Sequence, residues 1–192
     1  RVLPMAAVPL AIEADVTELD PDDPGAVRVV RGQAQVAITP GTVQRVRLVP
    51  ADPPAYPESV AAIRSADWVV LGPGSWFTSV LLVPEVREAL EVTRARRLLI
   101  LNLDPGSGET AGFSAERHLE TFAELAPHLR LDVVLADPAV VDDEEQLGRA
   151  CGRLGATLFV APVGRRDRAG EHDPLRFAAA LRDIVATPRP AR

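Results

Sequence analysis

From residue 57 onward the chain alternates short apolar runs with longer amphipathic stretches, and this alternation constrains the fold more than any other feature. The runs are WVVLG (68–72), LLILNL (98–103), LDVVLA (131–136) and TLFVA (157–161). Each is too short for a buried helix and nearly continuous in apolar character, as strands covered on both faces are. The stretches between them carry helix signals. Pro57 opens a helix with Val60 and Ile63 on one face. Pro84 opens another with Val86, Ala89 and Leu90 inward. Ser114 caps a helix carrying Leu119, Phe122 and Leu125. Asp142 and Glu145 have capping-box spacing before a stripe of Leu147, Ala150, Cys151 and Leu154. Asp173 and Pro174 open a last helix with Leu175, Ala178, Leu181 and Ile184 inward. Repeated strand–helix units of this kind predict an α/β fold, a parallel sheet with helices on both faces.

The N-terminal part reads differently. Residues 1–26 are extended and turn-rich, with Asp, Pro and Gly crowded in ELDPDDPGA. QAQVAIT (33–39) and VQRVRLV (43–49) both alternate at period two, and Pro40-Gly41 separates them. That pattern predicts an antiparallel hairpin with one wet face, and Val27–Arg31 supplies a third strand. The expected organisation is one domain over 1–186, with a hairpin subregion at 27–49 and strand–helix repeats at 57–186. The tail 187–192 is disordered by composition, and the polar stretch GRRDRAGEHD (164–173) is a mobile loop.

Composition then narrows the chemistry. The 192 residues include 27 acidic and 21 basic side chains, a net charge of −6, and every basic residue is Arg. An acidic chain is a poor nonspecific nucleic-acid binder, so no nucleic-acid partner is expected. The absence of Lys removes Schiff-base chemistry and the P-loop lysine. A single Cys, Cys151, excludes an intrachain disulfide and multi-cysteine metal sites; on an apolar helix stripe it reads as an inert core thiol. Three dispersed His do not give zinc spacing, so no metal is expected. No apolar run is long enough to span a bilayer, and RVLPMAAVPL lacks the form of a signal peptide. A cytoplasmic protein without stable membrane insertion is the expectation.

Ligands of open parallel sheets bind at the carboxyl ends of the strands. After the first strand comes GPGSWFTS, in which Gly72 and Gly74 permit a sharp turn and Ser75, Thr78 and Ser79 crowd hydroxyls into it. Such a turn either cradles a phosphate with backbone N–H groups or simply leads into a helix. After the second strand comes LNLDPGSGETAGFSAERH. Asn102, the only Asn in the chain, needs a polar partner in its apolar run. Asp104 and Glu109 sit among glycines, where carboxylates can accept from sugar hydroxyls or remain solvated. His118 either faces the same crevice or is a surface histidine. His128 and His172 are expected to be solvated. ADP (136–138) either lines the crevice or turns the chain.

Together, RVLPMAAVPL, ADWVVLGPGSWFTSV, LLVPEVREAL and GETAGFSAERH resemble the YvcK/GlmR group of the CofD-like superfamily, the gluconeogenesis factors. The resemblance implies a Rossmann-like fold and a nucleotide-sugar site, UDP-N-acetylglucosamine in particular. It also implies a regulatory role in cell-wall precursor supply and cell shape. Carried across residue by residue, the family's loop residues fall on Gly72, Pro73, Gly74, Ser75, Thr78, Ser79, Asn102, Gly108, Glu109, Thr110, Ser114 and His118. The sequence departs from the family in having no GGGTG-like N-terminal loop. It also runs from TSV straight into LLVPE, and it has Gly106 where Gln is usual. No catalytic residue is assigned. The implied partners are a nucleotide-sugar and a cell-wall precursor enzyme, and a homodimer is the default expectation. The alternative is a CofD-type 2-phospho-L-lactate transferase acting on a deazaflavin precursor. Those transferases read more like PSNP-x-x-S after this strand, and GPGSWFTS favours the regulator. An NAD enzyme needs G-x-G-x-x-G, of which only the first two Gly are present, so NAD is expected only as a surrogate ligand.

Overall fold

The computed structural model describes residues 1–74, 83–103 and 114–188. Two sheets are formed among them. The first is antiparallel and three-stranded, from β1 (Ala11–Thr17), β2 (Arg28–Arg31) and β3 (Thr42–Val49), in the order β2-β1-β3. The second is parallel, in the order β4-β5-β6-β7, from Trp68–Leu71, Arg96–Ile100, Val133–Ala136 and Thr157–Val160. The helices are α1 (Gln33–Ala37), α2 (Pro57–Ser65), α3 (Pro84–Val92), α4 (Ala115–Leu125), α5 (Glu144–Arg153) and α6 (Pro174–Ala186). The α/β class, the parallel sheet and the separate antiparallel layer are as the sequence predicts.

The period-two rule assigns the two faces of the parallel sheet. Leu99, Leu101, Val134 and Ala136 face a core that holds Val86 and Leu90 of α3, Leu119 and Phe122 of α4, and Leu147, Ala150 and Cys151 of α5. Ile12, Ala14, Val16 and Leu48 of the antiparallel sheet join the same core, so the two sheets share one interior. Leu98, Ile100, Val133 and Leu135 point the other way, onto Ala180 and Ile184 of α6. Arg97, only 5% exposed, holds β5 to the end of α3: its guanidinium donates to the carbonyls of Leu90 (2.7 Å), Glu91 (3.1 Å) and Thr93 (2.8 Å). These are the carbonyls a helix end leaves without intrahelical partners.

Several local expectations are corrected. QAQVAIT is not a strand: Gln33–Ala37 is a single helical turn that buries Val36 and leaves Ile38 74% exposed. β3 pairs instead with β1, Ala11 opposite Val49 through Thr17 opposite Thr42, so the strand missed in the sequence is the centre of this sheet. Glu13 and Asp15 on the outer face of β1 are held by Arg47 of β3, at 2.9 and 2.6 Å. That cross-strand pairing explains why an acid-rich stretch can be a strand. Among the described residues β4 is an edge strand, and Val70 is 48% exposed, so β4 is not covered on both faces. The α5 cap is Asp143, whose side chain accepts from Gln146 N, one residue later than predicted. On α6, Leu175 is 83% exposed and Ala178 is also exposed. The inward stripe is Phe177, Ala180, Leu181 and Ile184, at i, i+3, i+4 and i+7, whereas the every-third spacing of 175, 178, 181 and 184 drifts around a helix of about 3.6 residues per turn. The 164–173 loop carries contacts of its own. Arg165 pairs with Asp167 (2.8 Å) and Glu171 (3.8 Å), Arg165 N donates to Glu171 O, and Gly164 bridges His172. Thr187 O accepts from Arg96, which ties the start of the tail to β5; residues 189–192 lie outside the described residues.

Candidate functional site

The carboxyl end of β4 turns through Gly72 and Gly74, at φ 80° and 126°, with a cis bond between Gly72 and Pro73. Both φ values lie where L side chains are disfavoured, so glycine is required at each by the path of the backbone. Around Gly74 there is nothing within 4 Å of where a Cβ would stand, so the requirement is conformational and not steric. The neighbouring strand β5 ends just before Asn102. The Asn102 Oδ1 accepts a 2.7 Å hydrogen bond from Gly74 N. This is the partner that the solitary Asn demands, and it joins the ends of two adjacent parallel strands.

The start of α4 holds a second pair. The Ser114 side chain accepts from Arg117 N at 3.2 Å and so caps the helix. His118, one turn in, is 4% exposed, and its Nδ1 lies 3.0 Å from Ser114 O. A carbonyl oxygen can only accept, so Nδ1 carries the proton and, in the neutral ring, Nε2 is the acceptor. Burial pushes the His118 pKa below its ordinary value, with the bond to Ser114 opposing in part. His118 is therefore a neutral, buried imidazole at pH 7 and not a surface histidine.

Of the residues expected to form the site, Gly72, Pro73, Gly74 and Asn102 are brought together. Ser114 and His118 form their own pair at the helix start. Ser75, Thr78, Ser79, Gly108, Glu109 and Thr110 lie outside the described residues, as do Trp76 and Asp104. Among the described residues no group of three or more His, Cys, Asp or Glu side chains is placed to hold a metal ion. Cys151 is fully buried, and burial pushes its thiol up to about 11, so it is a packing residue.

The far half of the same sheet edge holds a group whose role sequence reasoning left open. Asp137, after β6, is 7% exposed. Its Oδ1 accepts from Ala139 N (2.9 Å) and its Oδ2 from Val163 N and Gly164 N (2.7 Å each). The carboxylate thus ties the end of β6 to the segment after β7. The Asp-Pro step in ADP is the signal that pointed to a turn there. His172 packs edge-on against Phe177, 5.1 Å between ring centroids, with Nε2 enclosed, so it is not solvated as expected. Burial lowers its pKa, and the charge of Asp137 opposes that shift.

Residues 1–151 match the family model described as 2-phospho-L-lactate transferase CofD. The chain belongs to the CofD family. Among curated relatives of this CofD-family chain, proteins from Mycobacterium tuberculosis and Mycobacterium leprae that carry the gluconeogenesis-factor name are each 50% identical to it. The alignments cover 97% and 94% of this chain but 56% and 52% of the relatives, so the chain spans about half their length. A solved structure of a UPF0052 family protein from Bacillus halodurans superposes with a TM-score of 0.75 at 25% identity, over 97% of this chain and 62% of the other. The CofD-like fold and the gluconeogenesis-factor resemblance are therefore shown. No helix among the described residues is long and apolar enough to cross a membrane.

Proposed function

We propose that this chain carries the nucleotide-sugar-binding part of a gluconeogenesis-factor-type regulator. Its preferred ligand is UDP-N-acetylglucosamine, and its role is to link carbon metabolism to cell-wall precursor supply and cell shape. The observation that carries the reading is the joined pair of strand ends. A glycine turn with two left-handed residues is fixed by an Asn side chain, at the edge of a parallel sheet where ligands of such folds bind. The buried His118, bonded through Nδ1 to Ser114 O, fixes the start of the next helix beside these strand ends.

The test is thermal unfolding of the complete protein with and without UDP-N-acetylglucosamine. Ligand at about 100 times its Kd should stabilise by roughly 2.7 kcal/mol, and Gly74→Val should abolish the shift. No shift in the wild type would overturn the reading. A second reading is favoured by the family description itself: a 2-phospho-L-lactate transferase acting on a deazaflavin precursor. Turnover of a phospholactyl-nucleotide donor by the complete protein would establish it over the regulator.

A further inference from the structure

We propose that the outer face of α6 is the seam of a homodimer, in which it pairs antiparallel with α6 of a second copy of this chain. α6 (Pro174–Ala186) is apolar on two sides. Its inner stripe, Phe177, Ala180, Leu181 and Ile184, covers the sheet. Its outer stripe is Leu175, Ala178, Arg182 and Val185. Leu175 is 83% exposed, Val185 is 54% exposed, and Ala178 is open to solvent as well. A surface helix carries one apolar stripe, and a helix that is apolar on opposite sides is covered on both. The outer stripe of α6 is left uncovered among the described residues.

Spacing, charge and side-chain size each select a second copy as the cover. The positions 175, 178, 182 and 185 step by three, four and three, as the seam of a coiled coil does, and the steps read the same in both directions. Such a seam meets itself when two helices run antiparallel about a two-fold axis, the isologous contact of a homodimer. Leu175 then lies opposite Val185 of the second copy in each end layer, and Ala178 lies opposite Arg182 of the second copy in each middle layer. The end layers are apolar. In the middle layers the small Ala178 leaves room for the aliphatic stem of Arg182, whose guanidinium reaches out to water. Arg182 is the only charged residue of the stripe, and it pairs with Asp183 of its own helix at 2.9 Å. A parallel pair would set Arg182 against Arg182, whereas the antiparallel pair sets each Arg against an Ala. Ala179 and Ala186 border the seam on one side, so the two backbones can approach closely. At 13 residues α6 is short. A contact between two such helices falls below the roughly 800 Å² per partner of a stable interface, so the dimer is weak and depends on concentration. The seam does not depend on the nucleotide-sugar reading.

The experiment is sedimentation equilibrium of the complete protein from low to high micromolar concentration. Wild type, Leu175→Glu, Val185→Arg and an equimolar mixture of the two variants are compared. Wild type should pass from monomer to dimer over this range. Each variant alone should dimerise about tenfold more weakly or worse, because both end layers then bury a charge against an apolar side chain. The mixture should recover dimerisation to within about threefold of wild type. In it the new carboxylate of one copy faces the new guanidinium of the other, and the second end layer keeps Leu175 and Val185. Both positions are exposed in the single chain, so thermal midpoints measured at low concentration should match wild type, and recovery on mixing shows that both variants are folded. Wild type that stays monomeric at the highest concentration would overturn the proposal; it is the result expected if another segment of the complete protein covers α6. A wild-type dimer that Leu175→Glu does not weaken would put the interface elsewhere and overturn it as well. Variants that weaken the dimer without recovery on mixing would overturn the antiparallel pairing.

Discussion

The two halves of one sheet edge use a polar side chain in opposite ways. At the ends of β6 and β7, Asp137 spends both carboxylate oxygens on backbone N–H groups and is 7% exposed. At the ends of β4 and β5, Asn102 spends one oxygen on Gly74 and keeps two donors. The first arrangement is closed: a buried charge satisfied by three backbone donors holds two strand ends in register. The second is open and fixes a turn while leaving hydrogen-bonding capacity over. The difference shows that a conspicuous acid at a strand end is not by itself a binding group. What distinguishes a structural clamp from a candidate site is how much capacity remains after the backbone is satisfied.

The comparison is broken most severely at its closed half. Asp137→Ala leaves Val163 N and Gly164 N without their acceptor in a buried region and should cost about 3 kcal/mol or more, since each hydrogen bond to a charged group is worth roughly 1.5–3. Urea unfolding measures this, and a loss under 1 kcal/mol would mean the clamp matters little. At the open half, Gly74→Val places a β-branched residue at φ 126°, with open space where its Cβ would stand. Strain of about 1–3 kcal/mol is expected, smaller than the Asp137 effect, but with loss of ligand binding that Asp137→Ala variants still folded under the assay conditions should retain. The reverse pattern would mean that the two halves have been assigned the wrong way round.

The smallest effect concerns His172, beside Asp137. Its pKa is lowered by burial, so between that value and the ordinary value near 6.5 the unfolded chain binds more protons than the folded one. The stability contributed by neutral His172 is therefore full above about pH 6.5 and is lost as the pH falls through and below it. His172→Phe keeps the ring contact with Phe177 and removes the titration. Stability of this variant should vary less between pH 7 and pH 5 than that of the wild type, by a fraction of a kcal/mol, as read from denaturant midpoints. Equal pH dependence would remove His172 from the account.

How much of this is legible in the sequence depends on the range of the interactions involved. The parallel half is read well because its signals are local. Apolar runs mark β5 and β6, and Ser114 and Asp173 are caps that act within three residues of themselves. The antiparallel half is read poorly because its order depends on contacts between distant residues. β1 has perfect alternation of Ile12, Ala14 and Val16, but its outer face is acidic and becomes tolerable only once Arg47 arrives from β3. QAQVAIT alternates just as well and yet forms one helical turn, since period-two patterning over five residues does not separate a strand from a short helix. The edge position of β4 is invisible for the same reason: strand order is a non-local property. At the site, the need of Asn102 for a partner is legible, but the identity of that partner is not, because Gly74 lies 28 residues away.

The most direct test of the central claim is a map of backbone amide chemical shifts on adding UDP-N-acetylglucosamine to the complete protein. Saturable shifts concentrated at Gly72, Gly74, Asn102, Ser114 and His118, with Ala139, Val163 and Gly164 unmoved, are the predicted result. Saturable shifts centred on Val163 and Gly164, or no saturable shift at any amide, would contradict it.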